Sequence, residues 1–400
     1  MGAFEQVLQR RLAAQVLPIA VVLPGGHRLG TADAPVTLRL NDWTPLAHLA
    51  LGRIGELGAD YVEGRLDLDG TPRDLADAAA HLAGSAAVHP SAWEGAVQRL
   101  RSAWRHAPAN DRRQVSFHYD VSDDFYALWL DPRRVYSCAY FRERGSSLAQ
   151  AQQAKLEHIC RKLMLEPGER FLDIGAGWGA LLLWAAEHHG VRAHGITLSR
   201  NQFTHLSRLI EQRGLRGRVS VALMDYRDLP EDEAWDKIAS VGMFEHVGRT
   251  KLPAYAGKIF RLLRPGGLLM NHGITAGATD RPQLGAGFGD FIDRYIFPGG
   301  ELVHVSELLH TLGGAGLEPL DAENLRPHYA RTLWAWSDAL EAQLDAARRI
   351  VGERVVRAYR LYLAGCAIGF EQGWTALFQV LAARGAQSDY PFNRAYQYSS

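Results

Sequence analysis

The sequence predicts an α/β protein: a doubly wound, mainly parallel sheet preceded by a smaller α+β unit. Three observations carry that prediction. From about residue 150 onward, short apolar runs alternate with helix-forming stretches, the rhythm of strand–helix–strand units whose strands lie parallel. The first apolar run, residues 170–174, ends in Gly175, Gly177 and Gly179 and passes directly into a helix former over 180–186. Residues 1 to about 110 lack this rhythm and carry two alternating runs instead.

In the amino-terminal part, an opening helix leads to Val36-Thr37-Leu38-Arg39-Leu40 and then to residues 61–68. Both runs alternate with period 2, which suits half-buried strands. Residues 74–82 and 93–104 read as helices. The second carries Arg99, Arg101, Arg105 and His106 beside Leu100 and Trp104, with Arg112 and Arg113 close behind. Basic and aromatic side chains together suit an anionic membrane surface; a solvated linker face fits the same residues. Pro108-Ala109-Asn110-Asp111 is the expected boundary, dividing the chain into residues 1–110 and 111–400.

Residues 114–141 are dense in aromatics without a clean period: His118-Tyr119-Asp120, Asp123-Asp124-Phe125-Tyr126, Trp129 and Tyr136-Ser137-Cys138-Ala139-Tyr140-Phe141. Such a segment reads as a lid or site wall, with plain aromatic packing as the other reading. After a helix through residues 152–156, strands are expected at 170–174, 191–197, 218–223, 236–241 and 266–272, and one or more near the carboxyl terminus.

Composition narrows the function classes. At 400 residues and 47% hydrophobic content the chain has length for about two domains and a sizeable core. Lys+Arg and Asp+Glu each number 44, so charge does not single out nucleic acid as a partner. Cys138, Cys160 and Cys366 show neither a paired framework nor metal-ligand spacing, which points to a reducing, cytosolic compartment and no metal. The start has no basic flank of a secretory signal, and the apolar run at 16–24 is broken by Pro18 and Pro24, far short of the roughly 20 residues of a spanning helix. A soluble or surface-bound protein is expected.

The glycine run suits a nucleotide-type cofactor, because a side chain there would occupy the ligand's space. Gly175, Gly177 and Ala180 would satisfy a dinucleotide fingerprint, which wants an acidic residue about 20 positions on. The next strand runs instead into Thr197-Leu198-Ser199-Arg200-Asn201-Gln202. Asp173, just ahead of the glycines, stands where S-adenosylmethionine methyltransferases carry a carboxylate. A dinucleotide loop and a structural glycine turn stay open on these residues alone.

Ligands of doubly wound sheets sit beyond the carboxyl ends of the strands. The expected strand ends deliver Asp173 to Gly177, Thr197 to Gln202, Asp225-Tyr226-Arg227, Glu245-His246 and His272 to that place. Each has a duller explanation: Glu245 as a helix-terminal acid, His272 as a hydrogen-bonded core histidine, Cys138 as a small buried hydrophobe. Their shared location favours a site.

Taken together, His118-Tyr119-Asp120, Tyr136-Ser137-Cys138-Ala139-Tyr140, the glycine loop, Thr197-Leu198-Ser199, Asp225-Tyr226-Arg227-Asp228-Leu229, Val241-Gly242-Met243-Phe244-Glu245-His246-Val247-Gly248 and Tyr295-Ile296-Phe297-Pro298-Gly299-Gly300 closely resemble the cyclopropane-fatty-acyl-phospholipid synthases. The mycolic acid cyclopropane synthases share part of the set. The likeness runs in order from about 115 to 385 and only weakly into the amino-terminal part. It implies a class I methyltransferase fold over 111–400 and a lipid- or membrane-associated unit over 1–110. The implied partners are unsaturated phospholipid acyl chains and the inner face of the cell membrane, met peripherally by a homodimer. By the same resemblance, S-adenosylmethionine would be held by Tyr136, Ser137, Asp173, Gly175, Ala176, Gly177, Thr197, Leu198, Ser199, Gln202, Asp225, Tyr226 and Arg227. A bicarbonate ion would sit among Cys138, Glu245, His272, the backbone of Ile274, and Tyr329. Members usually have Cys where this chain has Ala176, a position that need contribute only backbone.

The implied reaction transfers a methylene group to a cis double bond through a carbocation that bicarbonate deprotonates, closing a cyclopropane ring. Aromatic faces steady such a cation, and Tyr136, Tyr140, Phe141, Tyr295 and Phe297 are the candidates. A C-methyltransferase giving methyl- or methylene-branched or furan-precursor chains is the alternative.

Overall fold

The structure, a computed structural model, describes residues 19–31, 33–51, 53–75, 122–232, 234–279, 288–297, 300–385 and 390–398. The opening helix, the helix expected at 93–104 with its arginines, most of that expected at 74–82, the boundary at 108–111, His118-Tyr119-Asp120 and Pro298-Gly299 lie outside the described residues.

The small amino-terminal unit contains β1 (Ile19–Val22), β2 (Arg28–Gly30), β3 (Val36–Leu40), α1 (Thr44–Leu51), α2 (Ile54–Val62) and β4 (Leu66–Asp69). Its sheet has the order β2-β1-β3-β4, with β1 and β3 parallel and the other pairs antiparallel. β3 falls on the predicted run. The strand expected over 61–68 is corrected: Tyr61 and Val62 end helix α2, Gly64 turns the chain at φ +75°, and β4 starts at Leu66. The alternation misled because both adjacent side chains are buried, Tyr61 in the core of the small sheet and Val62 in the aromatic core of the larger unit.

The rest of the chain builds a seven-stranded sheet. In chain order its elements are α3 (Asp123–Ala127), α4 (Leu148–Lys162), β5 (Arg170–Ile174), α5 (Ala180–His189), β6 (Arg192–Thr197), α6 (Arg200–Gln212), β7 (Val219–Leu223), β8 (Trp235–Val241), α7 (Leu252–Leu262), β9 (Leu263–Ala276), α8 (Phe288–Tyr295), α9 (Val305–Gly314), β10 (Leu317–Asn324), α10 (Arg326–Glu341), α11 (Leu344–Glu371), β11 (Thr375–Arg384) and α12 (Ala395–Tyr398). The strand order is β10-β11-β9-β8-β5-β6-β7. β9, β8, β5, β6 and β7 are mutually parallel, and β11 runs antiparallel to both neighbours. The five predicted internal strands are therefore present and the sheet is doubly wound and mainly parallel. Because β6 and β7 extend to one side of β5 and β8 to the other, the chain reverses direction between β5 and β8, which opens a crevice above their carboxyl ends.

Local signals explain the helix bounds. Ser147 and Gln150 form a reciprocal capping box at the start of α4. Ser199 caps α6. Leu156, Ile159, Leu182 and Leu206 of α4, α5 and α6 pack on one face of the sheet. Tyr255, Ile259, Leu308 and Leu312 of α7 and α9 pack on the other. A third core covers the carboxyl ends of the strands, built by α3, α8, α10 and α11 around Phe125, Tyr126, Trp129, Trp336 and Tyr359. The lid reading of 114–141 is thus corrected in part. Phe125, Tyr126 and Trp129 are fully buried packing, with Tyr126 and Tyr359 hydroxyls 2.8 Å apart.

Helix α11 fastens the two units together. Arg357 donates to Asp67 at 2.7 Å and to the carbonyls of Tyr61 and Leu66 at 3.0 and 3.2 Å. Arg354 and Tyr295 both reach Glu63, at 2.9 and 3.0 Å. Among the described residues no helix is long and apolar enough to cross a membrane.

Candidate functional site

Two adjoining cavities occupy the crevice. The first is walled by Tyr136, Ser137, Asp173, Gly175, Ala176, Gly177, Thr197, Leu198, Gln202, Asp225, Tyr226 and Arg227, twelve of the thirteen residues expected around the cofactor. Ser199 is the exception. It is buried behind the wall, where its hydroxyl accepts the Gln202 N–H at 3.3 Å and caps α6.

The loop is held open from below. Gly175 and Ala176 both donate backbone N–H to the carbonyl of Ile196, at 3.0 and 2.9 Å, which ties the turn to the end of β6. Thr197 donates to Gln202 Oε1 at 2.7 Å. Arg227 folds back on Asp225, with Nε 2.8 Å from Oδ1. A Cβ built on Gly177 (φ +56°) meets no protein atom within 4 Å, so that face of the turn, in the cavity wall, is clear of protein.

Beneath the loop lies a buried lysine that the sequence reading missed. Lys155, on α4, lines the same cavity and donates to Ser137 Oγ at 3.0 Å. Burial pulls its ammonium down to about 8 and pushes the Asp173 carboxyl up to about 7, against the pull of Lys155. No sequence signal marks it, because a lysine on an amphipathic helix ordinarily faces water.

The raised Asp173 value fixes a sign. The stability it contributes is fully present below the ordinary aspartate range and is lost as pH rises through about 7. Asp173→Asn abolishes that loss. Urea unfolding of the ligand-free protein between pH 4 and 8 is therefore expected to show a steeper fall for wild type than for the variant, by on the order of 3 kcal/mol over the range; parallel curves would contradict a buried, neutral Asp173.

The second cavity contains all five of the remaining candidates, Cys138, Glu245, His272, Ile274 and Tyr329. Tyr136, Ser137, Gly242 and His246 line both cavities, so the two share one wall. Glu245 follows β8 in a short 3₁₀ turn, and its Oε1 accepts the Ile274 N–H at 2.6 Å. Its other oxygen, Oε2, is buried with no partner among the described residues, as is His272 Nε2. Burial pushes the Glu245 carboxyl up to about 7 and holds the His272 imidazole well below its usual range. Burial likewise raises the Cys138 thiol and the Tyr329 phenol. Two unsatisfied buried polar atoms on side chains that line one cavity are expensive unless polar partners reach them.

The rest of that cavity is largely apolar. Tyr362, Cys366 and Phe370 project from α11 at four-residue spacing, joined by Leu333, Leu377 and Phe297. That helical stripe was a legible signal left unused. Among the five aromatics expected to steady a cation, Tyr136 and Phe297 line the cavity and three do not. Tyr140 is stacked between His158 and His328, Phe141 lies under Arg331, and Tyr295 is tied to Glu63.

The family model described as mycolic acid cyclopropane synthetase matches residues 106–380. The chain is 44% identical over 386 residues to a probable fatty acid methyltransferase of Pseudomonas putida, covering 96% of each chain. It is 38% identical over 269 residues to cyclopropane mycolic acid synthase 1 of Mycobacterium tuberculosis, covering 65% of this chain and 93% of that one. Among solved structures, the cyclopropane synthase MmaA2 from Mycobacterium tuberculosis superposes with a TM-score of 0.65 at 35% identity, over 68% of this chain and 98% of that one. The mycolic acid cyclopropane synthase CmaA1, solved in complex with SAH and CTAB, gives a TM-score of 0.65 at 36% identity over 68% and 98%. The fold, the convergent site and a match across more than half the sequence place this chain in the mycolic acid cyclopropane synthetase family of S-adenosylmethionine-dependent methyltransferases.

Proposed function

We propose that this enzyme transfers a methylene group from S-adenosylmethionine to the cis double bond of an unsaturated phospholipid acyl chain and closes a cyclopropane ring. The observation that carries the reading is the shared wall. A glycine-lined polar cavity opens beside a largely apolar one, and the second holds Glu245 and His272 with a buried polar atom of each left over.

The donor fits the first cavity: its Gly177 face is clear of protein, and Tyr136, Ser137, Asp225 and Arg227 supply polar edges. When bound there, S-adenosylmethionine supplies an electrophilic methyl. Tyr136, at the wall between the cavities, orients that methyl toward the alkene and presents its ring to developing positive charge, on the order of 2 kcal/mol when desolvated. Phe297, Tyr362 and Phe370 exclude water from the second cavity, since a poor nucleophile such as an alkene reacts only when closely positioned.

Bicarbonate fits the two orphaned atoms. His272 Nε2 and Glu245 Oε2 offer a donor and an acceptor, the complement of an ion with both a charged oxygen and a hydroxyl. Bound there, bicarbonate supplies a base for the proton lost on ring closure. Glu245, with a carboxyl near neutrality, shares the ion's proton rather than repelling its charge. The reading extends to a peripheral, cytoplasmic enzyme that meets the bilayer as a homodimer.

A second reading, methyl or methylene branching, draws support from the 44% identity to a probable fatty acid methyltransferase across 96% of both chains. One experiment separates the two. Purified protein is incubated with vesicles of cis-unsaturated phospholipid and labelled S-adenosylmethionine, and the product chain is fragmented by mass spectrometry. A saturated ring is expected; a methylene branch of equal mass would favour the second reading, and no incorporated label would remove both.

A further inference from the structure

His272 and Gln379 face each other across the β9–β11 ladder, 107 residues apart in sequence and both buried. The Gln379 amide nitrogen lies 3.1 Å from His272 Nδ1. In this amide orientation, which leaves Gln379 Oε1 buried without a partner among the described residues, Nδ1 accepts the N–H and the neutral ring holds its proton on Nε2; with the amide turned over, Oε1 would accept from Nδ1–H instead. Nε2 is the atom left without a partner among the described residues, on a side chain that lines the second cavity.

We propose that Gln379 is a positioning residue: it fixes His272 as a neutral Nε2–H donor aimed into the second cavity. The inference rests on the reading of that cavity as the reaction site. An amide serves here where a carboxylate would fail. Glutamine donates to Nδ1 and adds no charge, whereas a carboxylate would demand a proton on Nδ1 and either strip Nε2 or turn the ring into an imidazolium. The surroundings already carry charge. Lys155, Lys162 and His158 on α4 and Glu323 on β10 act on His272 through their charge, and Glu245, in the turn after β8, lines the same cavity. Glu323 is the register partner of Gln379 on its other side, and its carboxylate is already held there by His158 and Lys162 at 2.7 and 2.5 Å, so the charge nearest Gln379 is paired without it.

The test uses the full-length protein labelled with ¹⁵N-histidine, the His272 signals assigned by difference from His272→Gln. Wild type is expected to show Nε2 protonated and Nδ1 bare at neutral pH. Gln379→Met, close in size but without a donor, is expected to weaken that preference and lower kcat roughly 10-fold or more, with KM for the lipid little changed. Gln379→Glu is expected to show Nδ1 protonated and to lose roughly 10–100-fold in kcat at pH 8, recovering toward lower pH as the imidazolium restores the Nε2 donor. Wild type carrying its proton on Nδ1 would overturn the proposal, and so would Gln379→Met with unchanged tautomer or unchanged kcat. If Gln379→Glu does not fold, Gln379→Met carries the test. Absence of methyl transfer by wild type would instead strike the proposed reaction, and the tautomer measurement would still judge Gln379.

Discussion

Replacing Glu245 with glutamine is expected to lower methylene transfer roughly 10²–10⁴-fold, the range for removing a general acid–base group, while S-adenosylmethionine binds as before. The geometry separates the two effects. The introduced amide oxygen can still accept the Ile274 N–H that Oε1 now takes at 2.6 Å, so the turn after β8 keeps its shape. Glu245 lines only the second of the two cavities, which leaves the donor's wall untouched. What disappears is the proton-accepting Oε2. The same substitution is expected to stabilise the protein above neutrality. Glu245's carboxyl is raised to about 7 by burial, so its contribution to stability is fully present below the ordinary glutamate range and is lost as pH rises through about 7. Glutamine removes that loss, by up to about 3 kcal/mol at pH 8. Steady-state kinetics, calorimetric titration with S-adenosylhomocysteine and urea unfolding read the three quantities. Turnover within a few-fold of wild type would remove Glu245 from the chemistry.

The parts of this molecule that were legible in the sequence are those with local signatures. β5 and its glycine turn announce themselves because an apolar run, three glycines and a helix former are contiguous. Thr197, Asp225 and Glu245 were placed because each ends or closely follows a strand, and a parallel sheet brings strand ends together. What was not legible depends on pairing or on which face of a helix turns inward. Gln379 acquires meaning only through its register with His272. Lys155 looks like an ordinary helix-surface lysine until α4 is seen packed beneath the loop. Tyr140 and Phe141 share a motif with Tyr136, yet the chain turns between them. Tyr140 donates its backbone N–H to Ala151, and its ring enters a stack with His158 instead of the cavity. Tyr61 and Val62 show the limit of period-2 reading, since two cores meeting at one helix end bury adjacent residues.

The glycine turn yields a prediction in which neighbouring positions dissociate. The sequence assigns all its glycines one purpose, leaving room for a ligand, but the structure divides the work. Gly179 does not line the cavity. At φ +89°, a Cβ there would lie 2.2 Å from Leu206 Cδ1, so this glycine exists to let α5 start against α6. Gly179→Ala is therefore expected to destabilise the fold by roughly 2–4 kcal/mol, combining left-handed strain with overpacking. Gly177→Ala, at φ +56° with open space beyond, is expected to lose only about 1 kcal/mol and yet to weaken S-adenosylhomocysteine more than about 10-fold, because its methyl group enters the ligand's volume. The assignment of the clash to Leu206 is testable in a double-mutant cycle. Leu206→Ala alone opens a cavity in a fully buried site and is expected to be destabilising by about 2–5 kcal/mol. In the Gly179→Ala background the new methyl occupies part of that space, so the two losses should fall short of additivity by roughly 1–2 kcal/mol. Strict additivity in urea unfolding would show that the strain at residue 179 lies in its backbone angle alone, and equal effects of the two glycine substitutions on ligand affinity would return both positions to a single role.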